Sequence, residues 1–331
     1  MAEAVAIVGM NLGGPDSPEA VEPFLYNLFR DPDVIQLGLA RPLQPLLARI
    51  ISRRRAPLSR QAYAQIGGRS PILAETRAQV AAVAEALGGA GIAARSFVAM
   101  GCWHPFSSEA VAAVQKEGLR RIVALPLYPQ YSHTTTGSSL KALARAVKKA
   151  RAGGAIEVAE IRSYADAPGF VEAVADTVTA SIATLPPPLR DRAPVVFSAH
   201  GLPVSYIRRG DPYLDEVRAT VAAVTGRLRL GDRARLAFQS RVGRQKWLEP
   251  YTEEALDALV DAGEKAVVVC PIAFTGEHVE TLQELDIVYR ERALARGLVH
   301  YARARTVGTH PAFIGALAGL CAATARARGW A

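Results

Sequence analysis

At 331 residues, half of them hydrophobic and 21% charged, the chain has the composition of a folded protein, which excludes wholesale disorder. Its length predicts two domains of roughly 150 residues rather than one core. A net charge of +8 points to an anionic partner, whether nucleic acid, an acidic lipid surface or a carboxylate-bearing substrate.

The N-terminal residues carry Glu3 and no basic stretch leading into an apolar run, so no signal peptide is expected. No apolar run reaches the roughly 18 to 20 residues of a spanning helix. Three cysteines, Cys102, Cys270 and Cys321, with no CxxC, suit a reducing compartment. The expected location is cytoplasmic, with membrane contact at most peripheral.

The first strand is predicted at 5–10 and runs into Asn11-Leu12-Gly13-Gly14-Pro15, a turn lacking the G-x-G-x-x-G of a dinucleotide site. Residues 24–70 follow, with Leu37, Leu39, Leu43, Leu46, Leu47, Ile50 and Ile51 leading into Arg53-Arg54-Arg55. An apolar stretch ending in a basic triplet reads as a surface helix dipping into lipid headgroups, a lip over a greasy ligand, or an amphipathic core helix with a solvated end. Strands at 95–100 and 121–125 flank a helix at 107–117, expected to open on a Ser cap and end at a glycine. The hydroxyl-rich Pro129-Gln130-Tyr131-Ser132-His133-Thr134-Thr135-Thr136-Gly137-Ser138-Ser139 would suit a phosphate but lacks the lysine of a P-loop. A strand at 156–161 closes the first half, and Pro186-Pro187-Pro188 reads as the inter-domain linker.

The second half repeats the pattern, with strands at 195–199, 235–239, 266–270 and 299–303 and a helix at 252–262 expected to open on a Thr cap. Strands alternating with helices predict βα units around parallel sheets, four strands per half. The strand 195–199 ends in Ser198-Ala199-His200-Gly201-Leu202-Pro203. In open α/β sheets ligands bind outside the carboxyl ends of strands, where His200 would accept a proton or a metal; the alternative is a structural hydrogen-bonder. After the strand ending at Cys270 come Glu277, Glu280 and Glu284, spaced by three and four and so stacked along one helical face. That row reads either as a solvated face or as a path for cations and protons. His278 and Glu280, two apart, fall on different faces of a regular helix and meet on one ion only if the turn is distorted, as at a π-bulge.

The chain also aligns with itself. An offset of 145 lays Pro105 on Pro250, Glu109 on Glu254, Gly118 on Gly263, Pro126 on Pro271 and His133 on His278. An offset of 188 lays Val8 on Val196, Gly13 on Gly201 and Pro15 on Pro203, and sets Leu12 against His200; a third, 143, lays Phe170 on Phe313. The first two differ because the first half carries about 43 extra residues, around 24–70, between its first and second strands. Duplicated units usually face each other across a cleft, which would oppose apolar Leu12 to ionisable His200.

These segments together resemble the ferrochelatase family along nearly the whole chain. The resemblance rests on Asn11 to Pro15, Tyr128 to Ser132 with Thr135 to Ser139, Ser198 to Pro203, Gln239-Ser240-Arg241-Val242-Gly243, Trp247-Leu248, and Pro271 to Phe274 with His278-Val279-Glu280-Thr281-Leu282, in the family's order. It implies an α/β fold of two similar Rossmann-like domains, each with a four-stranded parallel sheet flanked by helices, spanning 1–165 with a porphyrin-covering lip at 24–70 and joined by a C-terminal helix 309–331, and 166–308. It implies insertion of ferrous iron, as substrate, into protoporphyrin IX, with no organic cofactor. His200 and Glu280 would be the catalytic, metal-binding pair, and Glu277, His278 and Glu284 the relay toward solvent. Leu12, Asn11, Arg55, Tyr63, Ser70, Tyr131, Gln239, Ser240, Val242 and Trp247 would contact the porphyrin. The position of Leu12 carries Met in protoporphyrin-type members and Tyr in coproporphyrin-type ones, so an apolar residue there leans toward protoporphyrin.

Two departures stand out. Gly101-Cys102 replaces the family's Arg-Tyr before Trp103-His104-Pro105, which removes a pocket cation and a ring and would add Cys102 as a soft ligand. The cysteine-rich tail of cluster-bearing members is missing and His133 stands where one cluster cysteine would lie, so no iron–sulfur cluster is expected. Aromatic and basic residues do not interleave, so nucleic acid is not an expected partner. Competing readings are a related chelatase for cobalt or another tetrapyrrole, and a non-catalytic porphyrin or haem carrier.

Overall fold

The computed structural model describes residues 4–35, 41–150, 155–243 and 245–331, so Leu37 and Leu39 of the apolar stretch lie outside the described residues. Two compact units divide the chain: Met1–Ser163 with Ile314–Ala331, and Tyr164–Phe313.

The first unit is built on β1 (Val5–Asn11), whose seven residues are all buried. Helices α1 (Val21–Arg30), α2 (Gln44–Ala64) and α3 (Ile72–Gly89) precede β2 (Ala94–Met100), followed by α4 (Ser107–Lys116), β3 (Arg121–Pro126), α5 (Thr136–Lys149) and β4 (Glu157–Glu160). The strands are parallel in the order β2-β1-β3-β4. Side chains alternate across a strand, and β1 uses both sides. Ala6, Val8 and Met10 pack with Val111 and Val114 of α4 and Leu140 and Leu143 of α5. Gly9 faces the other way, toward Val80 of α3. The apolar 24–70 segment forms the α1–α2 pair, which packs together.

The second unit begins with α6 (Pro168–Ala183) and the short α7 (Pro187–Arg190), then β5 (Val195–His200), α8 (Val204–Arg208), α9 (Tyr213–Leu228), β6 (Ala234–Gln239), α10 (Thr252–Asp261) and β7 (Ala266–Pro271). A π-helix (Glu280–Tyr289), α11 (Arg290–Ala295), β8 (His300–Arg303) and α12 (Pro311–Ala327) complete the chain, with α12 passing into the first unit's residues. The sheet order is β6-β5-β7-β8, again parallel, the same topology as in the first unit. Val196, Val267 and Val269 pack with Leu256 of α10 and Leu285 of the π-helix.

The two offsets close on one bond. Met10 pairs with Pro126 across β1 and β3, and Ser198 pairs with Pro271 across β5 and β7. The next residue donates its N–H back to the central strand in both units, Leu127 to Met10 at 2.8 Å and Ile272 to Ser198 at 3.0 Å. Leu12 and His200 are therefore equivalent by register. Between the first and second strands the first unit has α1, α2 and α3 where the second has α9 and only the five-residue α8, so the extra residues fall in the α1–α2 segment.

Two local expectations fail. Pro186-Pro187-Pro188 is not a linker but leads into α7 inside the second unit, because α6 before it already packs on β7, β8 and α9; the units divide after Ser163. Ser107 and Thr252 are the first helical residues rather than caps. Extended Phe106 and Tyr251 hold the cap positions. Glu109 accepts the Phe106 N–H at 2.7 Å, and Thr252 turns its hydroxyl inward to Ser198.

A Cβ on Gly9 would fall inside the Val80 side chain. Gly9→Ala is therefore expected to destabilise the fold by about 1–3 kcal/mol through overpacking. Denaturant unfolding should show part of that loss recovered in the Gly9→Ala/Val80→Ala double variant; an additive double variant would remove β1–α3 contact as the cause.

Candidate active site

His200 is the last residue of β5, and three contacts fix it. Its backbone carbonyl accepts the Tyr213 hydroxyl at 2.8 Å, its ring meets the Trp247 indole edge-on at 6.5 Å, and Nδ1 lies 3.1 Å from Glu280 Oε2. An ionised carboxylate only accepts, so Nδ1 carries the shared proton and Nε2 holds the lone pair of the neutral ring. The side chain is 35% exposed. Gly201 lets the strand end pass β6, since a Cβ there would come within 3.0 Å of the Gln239 carbonyl.

The carboxylate side is built by the segment after β7. His278 Nδ1 is 3.1 Å from the Gly276 carbonyl, which can only accept, so its Nε2 is the nitrogen turned to Glu280 Oε2 at 3.6 Å. His278 lies in the irregular segment before the helix, and the chain winds as a π-helix from Glu280 onward, so the two residues do not share a regular helix. One carboxylate oxygen thus lies against two imidazoles from separate segments.

Further along the π-helix, Glu284 Oε2 accepts from Ser240 Oγ at 2.7 Å and from Gln239 Nε2 at 3.1 Å. The same Gln239 nitrogen donates to the Glu280 carbonyl at 3.0 Å, and its Oε1 accepts the buried Ser198 hydroxyl at 2.7 Å. Glu277 does not join this row. Its Oε1 pairs with Arg303 Nη1 at 2.9 Å and accepts the Thr306 N–H, while Arg303 Nε holds Asp286 at 2.6 Å. Sequence reasoning passed over Arg303, although a charged residue at the carboxyl end of a predicted strand was its visible signal.

Electrostatics separates the two glutamates. Burial opposes charge on Glu280, but His200 and then His278 outweigh it and hold the carboxyl well below the usual carboxylate range. Glu284 is pushed up to about 7, first by burial and then by the Glu280 charge, against the pull of Ser240, His200 and Gln239. Burial alone would lower His200, but the Glu280 carboxylate raises it above the ordinary histidine value. Neighbouring groups driven apart in this way are the mark of divided acid–base roles. Among the described residues no group of three or more His, Cys, Asp or Glu side chains is arranged to hold a metal.

The remaining positions fall where their elements put them. Asn11 donates to Thr76 at 3.3 Å and accepts the Leu12 N–H, leaving Leu12 half-buried. On α2, Arg55 lies over Phe29 with no ion pair among the described residues, whereas Arg53 and Arg60 pair with Glu22. Tyr63 is buried, the Ser70 N–H is held by the Pro15 carbonyl at 2.8 Å, and the Tyr131 hydroxyl accepts from Arg162 at 3.0 Å. Trp247 is buried and donates to the carbonyl of exposed Val242. Cys102 is not an available soft ligand: it is 1% exposed, and burial pushes its thiol up to about 12, so it stays protonated.

Bacillus subtilis SirB with Fe3+ covers 98% of this chain and 98% of its own at a TM-score of 0.54 and 14% identity. The sirohydrochlorin chelatase SirB of Bacillus subtilis subspecies spizizenii in complex with cobalt, at 0.52 and 13%, covers 98% of this chain and 96% of its own. Identities this low speak to fold alone, and the fold is that of the chelatases. The sequence is more specific: a ferrochelatase of Geotalea uraniireducens is 45% identical over 97% of this chain and 98% of that protein, and one of Thermosynechococcus vestitus is 44% identical over 97% and 82%. A model of the Ferrochelatase family matches residues 4–325, and the chain belongs to that family.

Arg303 holds two carboxylates while itself only 9% exposed. Arg303→Met, which leaves Glu277 buried beside no cation, is expected to cost about 3–5 kcal/mol in denaturant unfolding. A loss under about 1 kcal/mol, the range of an exposed pair, would show that the triad does not anchor the π-helix.

Proposed function

We propose that the protein inserts ferrous iron into protoporphyrin IX to give protohaem and two protons, the closing step of haem formation, as a metal chelatase of the lyase class. Family membership supports the reaction, and the contact of His200 Nδ1 with Glu280 Oε2 is the observation that carries the residue roles.

Metallation breaks two pyrrole N–H bonds as the iron enters, so a base must take protons while a carboxylate offsets the arriving charge. His200 Nε2 takes a pyrrole proton; with Nδ1 already donating to Glu280, the imidazolium formed is stabilised where it forms. Glu280, charged and flanked by His200 and His278, receives the iron. Glu284, poised near neutrality, passes protons onward, and the Glu277–Arg303 pair supports the view that Glu277 serves the π-helix instead of the relay.

On the family resemblance, Arg55 takes a propionate, since its planar fork suits a carboxylate and it has no such partner among the described residues. Leu12, Asn11, Tyr63, Ser70, Tyr131, Gln239, Ser240, Val242 and Trp247 supply the other contacts, with apolar Leu12 favouring protoporphyrin. A cytoplasmic setting is part of this reading, supported by three free, buried cysteines. So is peripheral membrane contact through α2 and the turn before it: Leu43, Leu46 and Ile50 are 52%, 63% and 42% exposed beside Arg53 and Arg54, and among the described residues no helix can cross a membrane.

Anaerobic addition of ferrous iron to protoporphyrin IX and the protein should give the absorbance of protohaem, and should consume the free porphyrin faster than cobalt or zinc does. His200→Ala should lower turnover by at least a hundredfold with porphyrin binding retained. Tight porphyrin binding without metallation by the unaltered protein would favour a carrier, and unchanged turnover in His200→Ala would remove it from the mechanism. Vesicles rich in anionic lipid should sediment the protein more than neutral ones, and Leu46→Glu should halve that binding or more; no change would count against the α2 contact.

A further inference from the structure

Ser240 stands at the end of β6 with φ of 67°, a left-handed conformation that a residue with a Cβ adopts at a cost. The only other non-glycine residue with positive φ among the described residues is Arg229, at a helix end where that conformation is common. What the strained turn at Ser240 achieves is aim: its hydroxyl meets Glu284 Oε2 at 2.7 Å. Gln239, 2% exposed, reaches the same oxygen from the strand, and cannot swing away. Its own oxygen is held by Ser198, whose hydroxyl is shared with Thr252 at 2.8 Å. The line from α10 through β5 and β6 to the π-helix thus ends on one carboxylate oxygen. The other, Oε1, accepts nothing among the described residues.

We propose that Ser240 and Gln239 are positioning residues for iron insertion, acting through Glu284: they commit Oε2 to two donors and so hold Oε1 as the oxygen that serves the reaction. The proposal rests on the reading of the chain as an iron-inserting enzyme and gives Ser240 work beyond a porphyrin contact. Gln239 adds a second tie, because its bond to the Glu280 carbonyl sets the first turn of the π-helix against β6. Glu280 and Glu284 are thereby registered to the same side chain.

The positive φ makes the test clean. Ser240→Gly removes the hydroxyl but also the backbone cost, so melting temperature should hold or rise while function falls. Steady-state kinetics on the full chain should show kcat over KM for ferrous iron down about tenfold, the loss of one hydrogen bond to a buried carboxyl group, a larger change than any in the KM for protoporphyrin. Ser240→Asn, which tolerates the left-handed region and keeps a donor, should recover most of the loss. Unaltered kinetics in Ser240→Gly, a defect confined to the porphyrin KM, or no recovery with Asn would each overturn the proposal. A crystal structure of Ser240→Gly supplies a readout independent of turnover: the Glu284 carboxylate should be displaced or disordered, and an unmoved carboxylate would also overturn it. Failure of the unaltered protein to metallate would instead sink the proposed function, leaving the position of Glu284 to decide this inference.

Discussion

A single imidazole–carboxylate hydrogen bond, His200 Nδ1 to Glu280 Oε2 at 3.1 Å, ties two segments eighty residues apart and organises what surrounds it. It keeps Glu280 ionised in a place where burial disfavours charge, and that charge then pushes Glu284 toward neutrality and raises His200. It also selects a tautomer, leaving one imidazole nitrogen with a lone pair on a partly exposed side chain. Base, charge acceptor and proton relay all follow from one contact and from how much water reaches it.

The scaffold explains how such a contact arises in one unit and not in the other. Both sheets have the same strand order and the same backbone bond beside the central strand's end, so each presents one residue at the equivalent register. In the first unit it is Leu12, in the second His200. A duplicated frame supplies two equivalent strand ends, and side-chain identity alone divides an apolar position from a reactive one. The α1–α2 segment breaks the symmetry further, adding Arg55 and the exposed Leu43, Leu46 and Ile50 to the first unit.

Much of this was legible in the sequence. All eight strands lie within two residues of their predicted spans, because buried parallel strands write themselves as short β-branched runs, and the offsets of 188 and 145 meet on the bonds at Met10 and Ser198. His200 and Glu280 were nameable as residues, but their meeting was not: ten residues are too few for a hydrophobic period to separate π from α winding. Nor could spacing reveal that Glu277 leaves the acidic row, since Arg303 draws it away from a strand twenty-six positions on. The proline run misled because proline marks the end of α6, and only tertiary packing decides that the next element shares its core.

The central contact can be read directly by following the nitrogen chemical shifts of the His200 imidazole through a pH titration of the unaltered protein and of Glu280→Gln, without metal or porphyrin. The account expects a midpoint above the ordinary histidine value in the unaltered protein and a clearly lower one once the carboxylate charge is removed. The same midpoint in both proteins would contradict it, because His200 would then be set by its burial and not by Glu280.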